Sequence, residues 1–394
     1  MVFMNKKTIL VFIDWYIPGY KAGGPIKSVH SMVKFLKDEF NFLIITSNTD
    51  FNDAAPYSTV KSDQWTQTDG ALVFYASSEF LNKRNLRKLL ATIQYDAIYL
   101  NSLFSIYFSL YPLLFHKIGI IRKPLMLAPR GMLGEGALKL KWKKKKLFLL
   151  FFKLIQSHKG ITWHATSEQE RNECFKIFGT DIQVSVVPNL QYNDKKNIGS
   201  APEKKKGSLK LFFLSRISEK KNILFALKVL LKISLLPRQQ LVFDIYGPIE
   251  NEEYWRECMV LIKKMNEKGH SVEYKGAVKS EDVQTVIENY HFLFLPTLNE
   301  NYGHVIVESL MVGRPVIISD QTPWTQLENQ NVGWDINLNN SAKFESVIQE
   351  CLLMSDEHYK KMIDDSKRYA KEFCNSEHNA GLMKRMFENL FTHV

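Results

Sequence analysis

The sequence predicts an α/β fold of two doubly wound, Rossmann-like domains that face each other across a cleft. Short, fully apolar strands alternate with helical patterns from Thr8 onward, which is typical of parallel sheets covered on both faces. The alternation stops at a polar, lysine-rich stretch, residues 191–208, and then restarts. The 394 residues are too many for one ordinary α/β domain and suit two of roughly 150–200 residues each.

The strand positions define the domain bounds. Strands are predicted in the first half at 8–13, 42–46, 71–75, 97–100, 125–128, 161–165 and 184–187, and in the second half at 211–214, 241–245, 272–274, 292–295 and 316–318. Helical spacing indicates helices after residue 26 and over 223–236 and 254–265. We expect a first domain at 1–190, a linker at 191–208 and a second domain at 209–375. A last helix, 376–394, has an apolar stripe that one of the domains must cover, and we expect it to complete the first.

Targeting and redox signals are weak. Asp14 interrupts the N-terminal apolar run, so a first strand is favoured over a secretory signal. Residues 97–115 carry no charge, but Asn101 and Pro112 lie among them, which favours a strand, a loop and an apolar helix over a membrane span. The four cysteines form no C-x-x-C pair, which indicates reduced thiols in an intracellular compartment.

The net charge of +11 is concentrated in one segment. Residues 130–160 contain nine basic residues and one acid, Glu135, which points to an anionic partner: a membrane surface, a polyanionic acceptor or nucleic acid. Within 138–155, lysines and Trp142 precede the apolar run 147–152, which is too short to span a bilayer but suits its interface. We expect this segment to dock on an anionic membrane surface at the inner face of the cell membrane. The alternative is a core helix that is preceded by a charged segment.

The sharpest candidate for chemistry is the segment 292–308, FLFLPTLNENYGHVIVE. A buried strand ends at Pro296, a polar loop carries Glu300, and a helix that begins near Gly303 carries Glu308. The glycine lets a ligand approach the backbone, and the free N–H groups of a helix start suit a phosphate. The two carboxylates could then hold hydroxyls of a sugar or a ribose, whereas without this context they would be ordinary surface glutamates.

Two further segments could bind phosphates. In 211–222, LFFLSRISEKKN, a strand delivers Arg216 to its carboxyl end and Lys221 follows at a helix start; two cations there suit a diphosphate, and a solvated charged turn is the alternative. In 16–27, YIPGYKAGGPIK, Gly23 and Gly24 lie at the start of the first helix. That segment is neither a G-x-G-x-x-G nor a P-loop, so by itself it is a weak signal.

Together these segments resemble the retaining family-4 glycosyltransferases, which have the GT-B fold. ENYGHVIVE (300–308) is similar to their E-x7-E motif, and SRISEKKN (215–222) resembles their G-R-x-x-x-x-K-G segment, with Ser215 and Asn222 where glycines are common. The similarity continues through YGP, TSE, VPN and GRPVIISD and covers nearly the whole chain. PGYKAGGP, APRGMLG and QTPW, with Gly333 and Trp334, resemble members that serve bacterial surface-polysaccharide synthesis.

The resemblance implies roles for the catalytic candidates. Glu300 would contact the donor sugar, and Arg216 and Lys221 would bind the diphosphate and stabilise it as it leaves. Many members have a histidine where this chain has Arg130; since arginine stays charged, it would contact substrate rather than act as a base. The implied donor-binding residues are Gly23, Gly24, Arg130, Gly247, Pro248, Gly276, Val278, Asn301, Tyr302, Gly303, His304, Val305 and Glu308, with Glu308 on the ribose and residues 274–278 beside the nucleobase.

The implied reaction retains the anomeric configuration through a dissociative step in which the leaving diphosphate takes the acceptor proton. We expect a nucleotide-diphosphate sugar as donor and a glycan or lipid-linked glycan as acceptor. No cofactor and no metal are expected, because no convincing D-x-D follows a strand and two basic side chains can replace the cation. A GT-B-like epimerase or phosphorylase is an alternative. A nucleic-acid-binding protein would explain the lysines but not Glu300, Glu308, Arg216 and Lys221 together.

Overall fold

The computed structural model describes residues 6–139, 142–191, 199–373 and 376–392. Leu140, Lys141, Cys374, residues 192–198 of the predicted linker and the last two residues of the predicted C-terminal helix lie outside them. The chain divides into two compact units: the first is Met1–Tyr192 with Ser376–Val394, and the second is Asn193–Asn375. No helix among the described residues is long and apolar enough to cross a membrane.

Strands and helices alternate along most of the described chain. The strands are β1 (Thr8–Phe12), β2 (Asn41–Ser47), β3 (Trp65–Thr68), β4 (Ala71–Ala76), β5 (Ala97–Asn101), β6 (Leu125–Ala128), β7 (Thr162–Ala165), β8 (Gln183–Val186), β9 (Ser208–Leu214), β10 (Gln240–Tyr246), β11 (Ser271–Gly276), β12 (Phe292–Leu295), β13 (Val316–Ser319) and β14 (Gly333–Ile336). The α-helices are α1 (Gly24–Leu36), α2 (Lys83–Thr92), α3 (Tyr111–Lys117), α4 (Glu135–Lys139), α5 (Trp142–Leu154), α6 (Glu168–Phe178), α7 (Ile223–Leu231), α8 (Glu252–Glu267), α9 (Val283–Ile287), α10 (His304–Met311), α11 (Ser341–Leu353), α12 (Asp356–Phe373) and α13 (Ser376–Thr392).

The first unit is built on a sheet of order β3-β4-β2-β1-β5-β6-β7-β8. Its strands run parallel except β3, which pairs with β4 in antiparallel fashion. Successive residues of β1 enter different cores: Ile9 and Val11 pack on the face that α1 and α13 cover, whereas Leu10 and Phe12 pack on the other. Helix α13 therefore covers the first sheet, where Phe387 packs against Tyr99 with ring centroids 5.4 Å apart.

The second unit is a fully parallel sheet of order β11-β10-β9-β12-β13-β14. The order reverses between β9 and β12, as it does between β1 and β5 in the first unit. In open parallel sheets, ligands bind beyond the carboxyl ends of the strands at this reversal, the switch point. The predicted α/β class with two parallel sheets is confirmed.

The structure departs from the predicted elements in a few places. Strands β3 and β14 were not predicted, because WTQT has one apolar residue followed by three polar ones and GWDI is interrupted by an aspartate. Helix α7 ends at Leu231 rather than at residue 236, ahead of Pro237. Residues 199–207 pack on the second unit, where the Lys204 side chain is 1% exposed and donates to the Leu352 carbonyl at 3.3 Å.

Candidate active site

The strongest candidate residues lie at the switch point of the second sheet. Arg216 and Lys221 follow β9, and Glu300 follows β12, the strand paired with β9. The fold therefore brings together groups that are far apart in sequence. The proximity of these three residues follows from the parallel topology, since the carboxyl ends of adjacent parallel strands meet at one edge of the sheet.

Lys221 and Glu300 form a direct ion pair. The Lys221 Nζ lies 2.5 Å from the Glu300 Oε2, and the two side chains are only 10% and 14% exposed. Burial alone raises the pKa of Glu300, but the charges of Lys221 and Lys220 outweigh it and hold the pKa below its ordinary value. Glu300 is thus an ionised carboxylate at neutral pH. A diphosphate site beyond a strand end is expected to be open to solvent, and the burial of Lys221 corrects that expectation.

Hydrogen bonds hold the β9 and β12 loops against each other. The Lys220 carbonyl accepts from the Leu298 N–H at 2.8 Å and from the Thr297 hydroxyl at 3.0 Å. The Asn222 amide donates to the Pro296 carbonyl at 3.0 Å. Asn222 has φ 58° and ψ 38°, a left-handed conformation that glycine and asparagine adopt most readily. This backbone accounts for asparagine at a position where the family commonly has glycine.

Arg216 lies on the adjoining side of the same edge. Its guanidinium lies 3.1 Å from the Glu250 carboxylate, and both side chains are about one-third exposed. The next residue, Ile217, donates its N–H to the Pro248 carbonyl at 2.9 Å. The β9 and β10 loops therefore run side by side, which places Pro248 next to the chain that carries Arg216.

Gly247 permits the close approach of three neighbouring loops. It has φ 135°, and a Cβ at this position would overlap the Ser215 carbonyl. Its N–H donates to the Gly276 carbonyl and its own carbonyl accepts from the Tyr274 hydroxyl, both at 2.8 Å. These contacts thus link the candidate residues at the carboxyl ends of β9, β10 and β11. Val278, in the loop after β11, is partly buried and packs against the core of the second unit.

We expect Gly247→Ala to destabilise the protein by more than Gly269→Ala. Gly269 also has a positive φ, 88°, but a Cβ there meets nothing within 4 Å. Gly269→Ala then isolates the backbone cost, roughly 1–2 kcal/mol, whereas Gly247→Ala adds a clash with backbone that cannot move aside. Urea unfolding of both variants measures the difference. Equal losses of unfolding free energy would show that the three loops can separate at no cost.

Helix α10 begins beside Glu300. Gly303 caps it with φ 78° and ψ 59°, and a Cβ there would come within 2.8 Å of the Ile306 side chain and 3.2 Å of the Glu300 Cγ. The partial positive charge of a helix N-terminus attracts anionic groups. Glu308 is half-buried in the second turn of α10, and His304 and Val305 are buried.

Asn301 and Tyr302 lie in the loop that precedes α10. The Asn301 N–H donates to the Glu300 carboxylate at 3.2 Å. The Tyr302 carbonyl accepts from the Trp324 indole at 2.5 Å, and the Tyr302 ring lies 4.9 Å from the His304 ring. Trp324 belongs to the QTPW segment, so this hydrogen bond joins that segment to the loop that follows Glu300.

In the first unit, Gly23 and Gly24 lie at the start of α1, beyond the carboxyl end of β1. Gly23 has φ 74°, and the space where its Cβ would lie is open to 4 Å. The preceding turn is held by Asp50, whose carboxylate accepts from the N–H groups of Tyr20 at 2.8 Å and Lys21 at 3.2 Å. An anionic group could reach this helix start without a side chain in its way.

Arg130 lies beyond β6 at the same edge and has φ 55°. Its guanidinium donates to the Asn189 amide oxygen at 2.5 Å, to the Asn101 amide oxygen at 2.5 Å and to the Tyr99 hydroxyl at 3.0 Å. These contacts fix the direction of the arginine within its own unit.

A buried histidine orients Tyr99. The His164 Nε2 lies 2.8 Å from the Val187 carbonyl, which can only accept, so this nitrogen carries the proton. The Nδ1 of the neutral ring then accepts from the Tyr99 hydroxyl at 2.6 Å. Burial, assisted by the charge of Arg130, lowers the pKa of His164 to about 3, so the ring stays neutral near pH 7.

Several functional candidates at the first edge were not predicted from the sequence. Asp14 follows β1, and its carboxylate accepts from the Ser105 hydroxyl at 2.6 Å across the switch point; burial raises the pKa of Asp14. Glu170 is 2% exposed and accepts from the Gly131 N–H at 2.6 Å. Polar residues directly after apolar strands, as in FIDW and IYLNS, were the available signal.

No group of three potential metal ligands from His, Cys, Asp and Glu occurs in the part of the chain that the structure describes. Cys174, Cys258 and Cys351 are buried and free of disulfides. The candidate groups at the two edges are carboxylates, cations, amides and helix starts, which bind hydroxyls and phosphates.

Residues 194–369, nearly all of the second unit, match the family described as glycosyl transferases group 1. The protein is a glycosyltransferase. No curated protein sequence is significantly similar to the chain.

Solved structures of GT-B glycosyltransferases resemble this glycosyltransferase along almost its whole length. Sucrose-phosphate synthase from Thermosynechococcus elongatus has a TM-score of 0.74 at 16% identity, covering 99% of this chain and 100% of the other. HepE of Anabaena in complex with UDP-glucose has 0.69 at 14% identity, covering 97% and 99%. WaaG, a glycosyltransferase involved in lipopolysaccharide biosynthesis, has 0.69 at 12% identity, covering 96% and 99%. At these identities the likeness shows the fold.

Proposed function

We propose that the protein is a retaining glycosyltransferase that transfers a hexose-type sugar from a nucleotide-diphosphate sugar to a lipid-linked glycan in surface-polysaccharide synthesis. The observation that carries the proposal is the Lys221–Glu300 ion pair at the switch point of the second sheet. The pair holds one cation and one carboxylate in place before any ligand arrives. Such a preformed arrangement stabilises charge that develops during the reaction.

Lys221 and Arg216 suit the diphosphate. Each already has a carboxylate partner, Glu300 and Glu250 respectively, so a bound diphosphate would share or replace these partners. Arg216 is about one-third exposed and can reach a ligand by rotating its side chain, whereas buried Lys221 must accept a ligand brought to it. The N-terminus of α10 adds a further partial positive charge beside the same loop.

Glu300 and Glu308 suit hydroxyl groups. Glu300 is ionised and lies beside Lys221, so it would accept hydrogen bonds from the donor sugar next to the departing phosphate. Glu308 lies in the second turn of α10 and would hold the ribose. Gly247, Pro248, Gly276 and Val278 line adjoining loops, where the nucleobase and its phosphates would lie.

The proposed mechanism needs no protein base. The leaving diphosphate, stabilised by Arg216 and Lys221, takes the acceptor proton as the glycosidic bond breaks and the new bond forms on the same face. Arg130 cannot serve as a base because a guanidinium stays charged, and its fixed direction suits a contact to substrate. Catalysis then depends on positioning and on electrostatic stabilisation of the departing anion.

Product analysis tests this reaction. Proton NMR of the product, formed from the nucleotide sugar that the protein accepts, should show the anomeric configuration of the donor without added inorganic phosphate. An inverted product would exclude the retaining mechanism. A sugar phosphate formed only when phosphate is present would identify a phosphorylase instead, and an epimerised nucleotide sugar would identify an epimerase.

Helix α5 carries the proposed membrane surface. Phe152 is its only buried residue within the described part of the chain, so the helix exposes more apolar surface than a core helix normally does. Leu147, Leu150, Phe151 and Leu154 are between 57% and 72% exposed. Their spacing of i, i+3, i+4 and i+7 places them on one face. A soluble helix normally keeps such a face covered, so this one needs an apolar partner.

A second segment with exposed apolar side chains packs beside α5. Ile106 is 54% exposed and the neighbouring Tyr107 is 36% exposed, while Phe104 packs against Phe148 of α5 with ring centroids 5.2 Å apart. Lysines 143, 144 and 146 are exposed at the start of α5. Apolar side chains with adjacent lysines fit the interface of an anionic bilayer, at about 1 kcal/mol for each lysine near the surface.

We expect Lys143→Gln/Lys144→Gln/Lys146→Gln to weaken binding to anionic vesicles by more than about 10-fold, since three lysines leave the lipid surface. Co-sedimentation with vesicles of phosphatidylglycerol and phosphatidylcholine measures the change, and binding should weaken with salt. The matched control is Lys263→Gln/Lys264→Gln/Lys371→Gln, which removes the same charge from exposed sites of the second unit. If the wild type bound neutral and anionic vesicles equally well, or did not bind anionic vesicles, docking would be contradicted. The lysine-rich segment would then be a binding site for a polyanionic acceptor.

A further inference from the structure

A pocket of about 560 Å³ lies at the opposite edge of the first sheet from Asp14 and Arg130. It opens where β6, β7 and β8 begin, and Leu125, Thr162 and Gln183 contribute to its lining. None of the residues proposed for sugar transfer lines it. The pocket is therefore separate from the edge that carries Gly23, Gly24 and Arg130.

The lining is strongly basic. Arg122, Lys123 and Lys159 line the pocket together with one acid, Asp181. Among the residues that the structure describes, neither Arg122 nor the two lysines lies within 4.0 Å of a carboxylate. The charge of Lys123 helps to lower the pKa of Asp96, which lies outside the lining. Three cations against one lining acid still leave an excess of positive charge for an anionic ligand.

The two pocket histidines add little charge near pH 7. Burial lowers the pKa of His116. Burial lowers the pKa of His158 as well, and the charges of Lys159, Lys153 and Lys117 contribute in the same direction. These last three lysines come from the ends of α3 and α5 and from the turn that follows α5, so the positive potential extends beyond the pocket lining.

The floor of the pocket is apolar. Leu125, Ile161, Ile182 and Leu390 are all less than a tenth exposed. Outside the pocket, Ile118 at the end of α3 and Leu154 at the end of α5 are 58% and 72% exposed. A basic cavity with two exposed apolar side chains on the neighbouring helix ends matches a ligand with a phosphate attached to an apolar body.

We infer that this pocket binds the phosphate headgroup of an anionic phospholipid. The inference rests on the proposed membrane docking through α5, because the pocket adjoins the carboxyl end of that helix. The lysines at the start of α5 would meet the lipid surface in general, whereas Arg122, Lys123 and Lys159 would hold one headgroup. The pocket would thus fix how the first unit lies on the membrane.

The test compares two triple variants of the full chain on vesicles that contain phosphatidylglycerol. Arg122→Gln/Lys123→Gln/Lys159→Gln should bind at least about 10-fold more weakly than Lys263→Gln/Lys264→Gln/Lys371→Gln, although both lose the same charge. All six residues are exposed, so both variants should fold, and their thermal unfolding verifies this. Equal binding by the two variants would overturn the proposed headgroup site without contradicting membrane docking through α5.

A second measurement separates a lipid headgroup from free phosphate. Inorganic phosphate and glycerol phosphate should protect the wild type against thermal unfolding only weakly, because they lack the apolar body. Strong protection by inorganic phosphate, lost in the pocket variant and without any vesicle binding by the wild type, would overturn the lipid assignment and the docking proposal together. Loss of vesicle binding in the Lys143, Lys144 and Lys146 variant but not in the pocket variant would support docking through α5 and overturn the pocket assignment.

Discussion

Arg216→Ala and Lys221→Ala should each lower turnover by at least about 10²-fold, because each removes a charge-assisted contact to a developing anion. Arg216→Ala is the cleaner variant. It leaves Glu250, which is about one-third exposed and can be hydrated, so stability should change little. The measurement is the turnover of each variant and of the wild type with the nucleotide sugar that the protein accepts, at a saturating concentration of this donor.

Lys221→Ala has a second expected effect. Glu300 is only 14% exposed, so loss of its cation leaves a largely buried carboxylate without its ion-pair partner, and the variant should also be less stable. Circular dichroism at the assay temperature must therefore show a folded protein. Lys228→Ala, an exposed position on α7, is the control and should keep wild-type turnover. Wild-type turnover in folded Arg216→Ala and Lys221→Ala would contradict the assignment.

Glu300→Gln should mainly lower turnover, whereas Glu308→Gln should mainly weaken nucleotide binding. Glu300 pairs with Lys221 at the proposed reacting sugar, and Glu308 lies further along α10, where the ribose would be held. Glutamine keeps the shape of either side chain but removes the charge. Isothermal calorimetry with the nucleoside diphosphate measures binding apart from the reaction.

Glu267→Gln provides the matched control for both glutamates. It lies exposed at the end of α8 and should bind nucleotide like the wild type. If Glu300→Gln weakened nucleoside-diphosphate binding more than Glu308→Gln did, the two roles would be reversed. The stability of Glu300→Gln also has to be measured, since the substitution leaves Lys221 without its carboxylate.

The sequence predicted the sheets well because most of their central strands are buried on both faces. Runs such as β12, FLFL, have no polar residue, and the structure buries all four of their side chains. Strand β3 was not predicted because it lies at the edge of its sheet. One row of its backbone groups meets no neighbouring strand there, and polar side chains are tolerated. Its sequence, WTQT, has no apolar periodicity to read.

The site was predicted only in part. Strand ends and loop glycines indicated Arg216, Lys221, Glu300 and Gly303, since parallel strands bring their carboxyl ends to one edge. The partner of each side chain depends on tertiary packing that local patterns do not contain. Neither the Arg216–Glu250 pair nor the contact of Arg130 with Asn101 follows from the spacing of residues in the sequence. The buried hydrogen bond from Tyr99, which Arg130 contacts, to His164 could not be predicted from the sequence either.

The central claim is that the edge carrying Arg216, Lys221 and Glu300 binds a nucleotide-diphosphate sugar, and thermal unfolding in a panel of nucleotide sugars tests it most directly. A ligand at 100 times its Kd adds about 2.7 kcal/mol to the unfolding free energy. We predict that at least one nucleotide sugar raises the Tm of the wild type and protects Arg216→Ala much less. Protection by none of the panel, or equal protection of the wild type and Arg216→Ala, would contradict the claim.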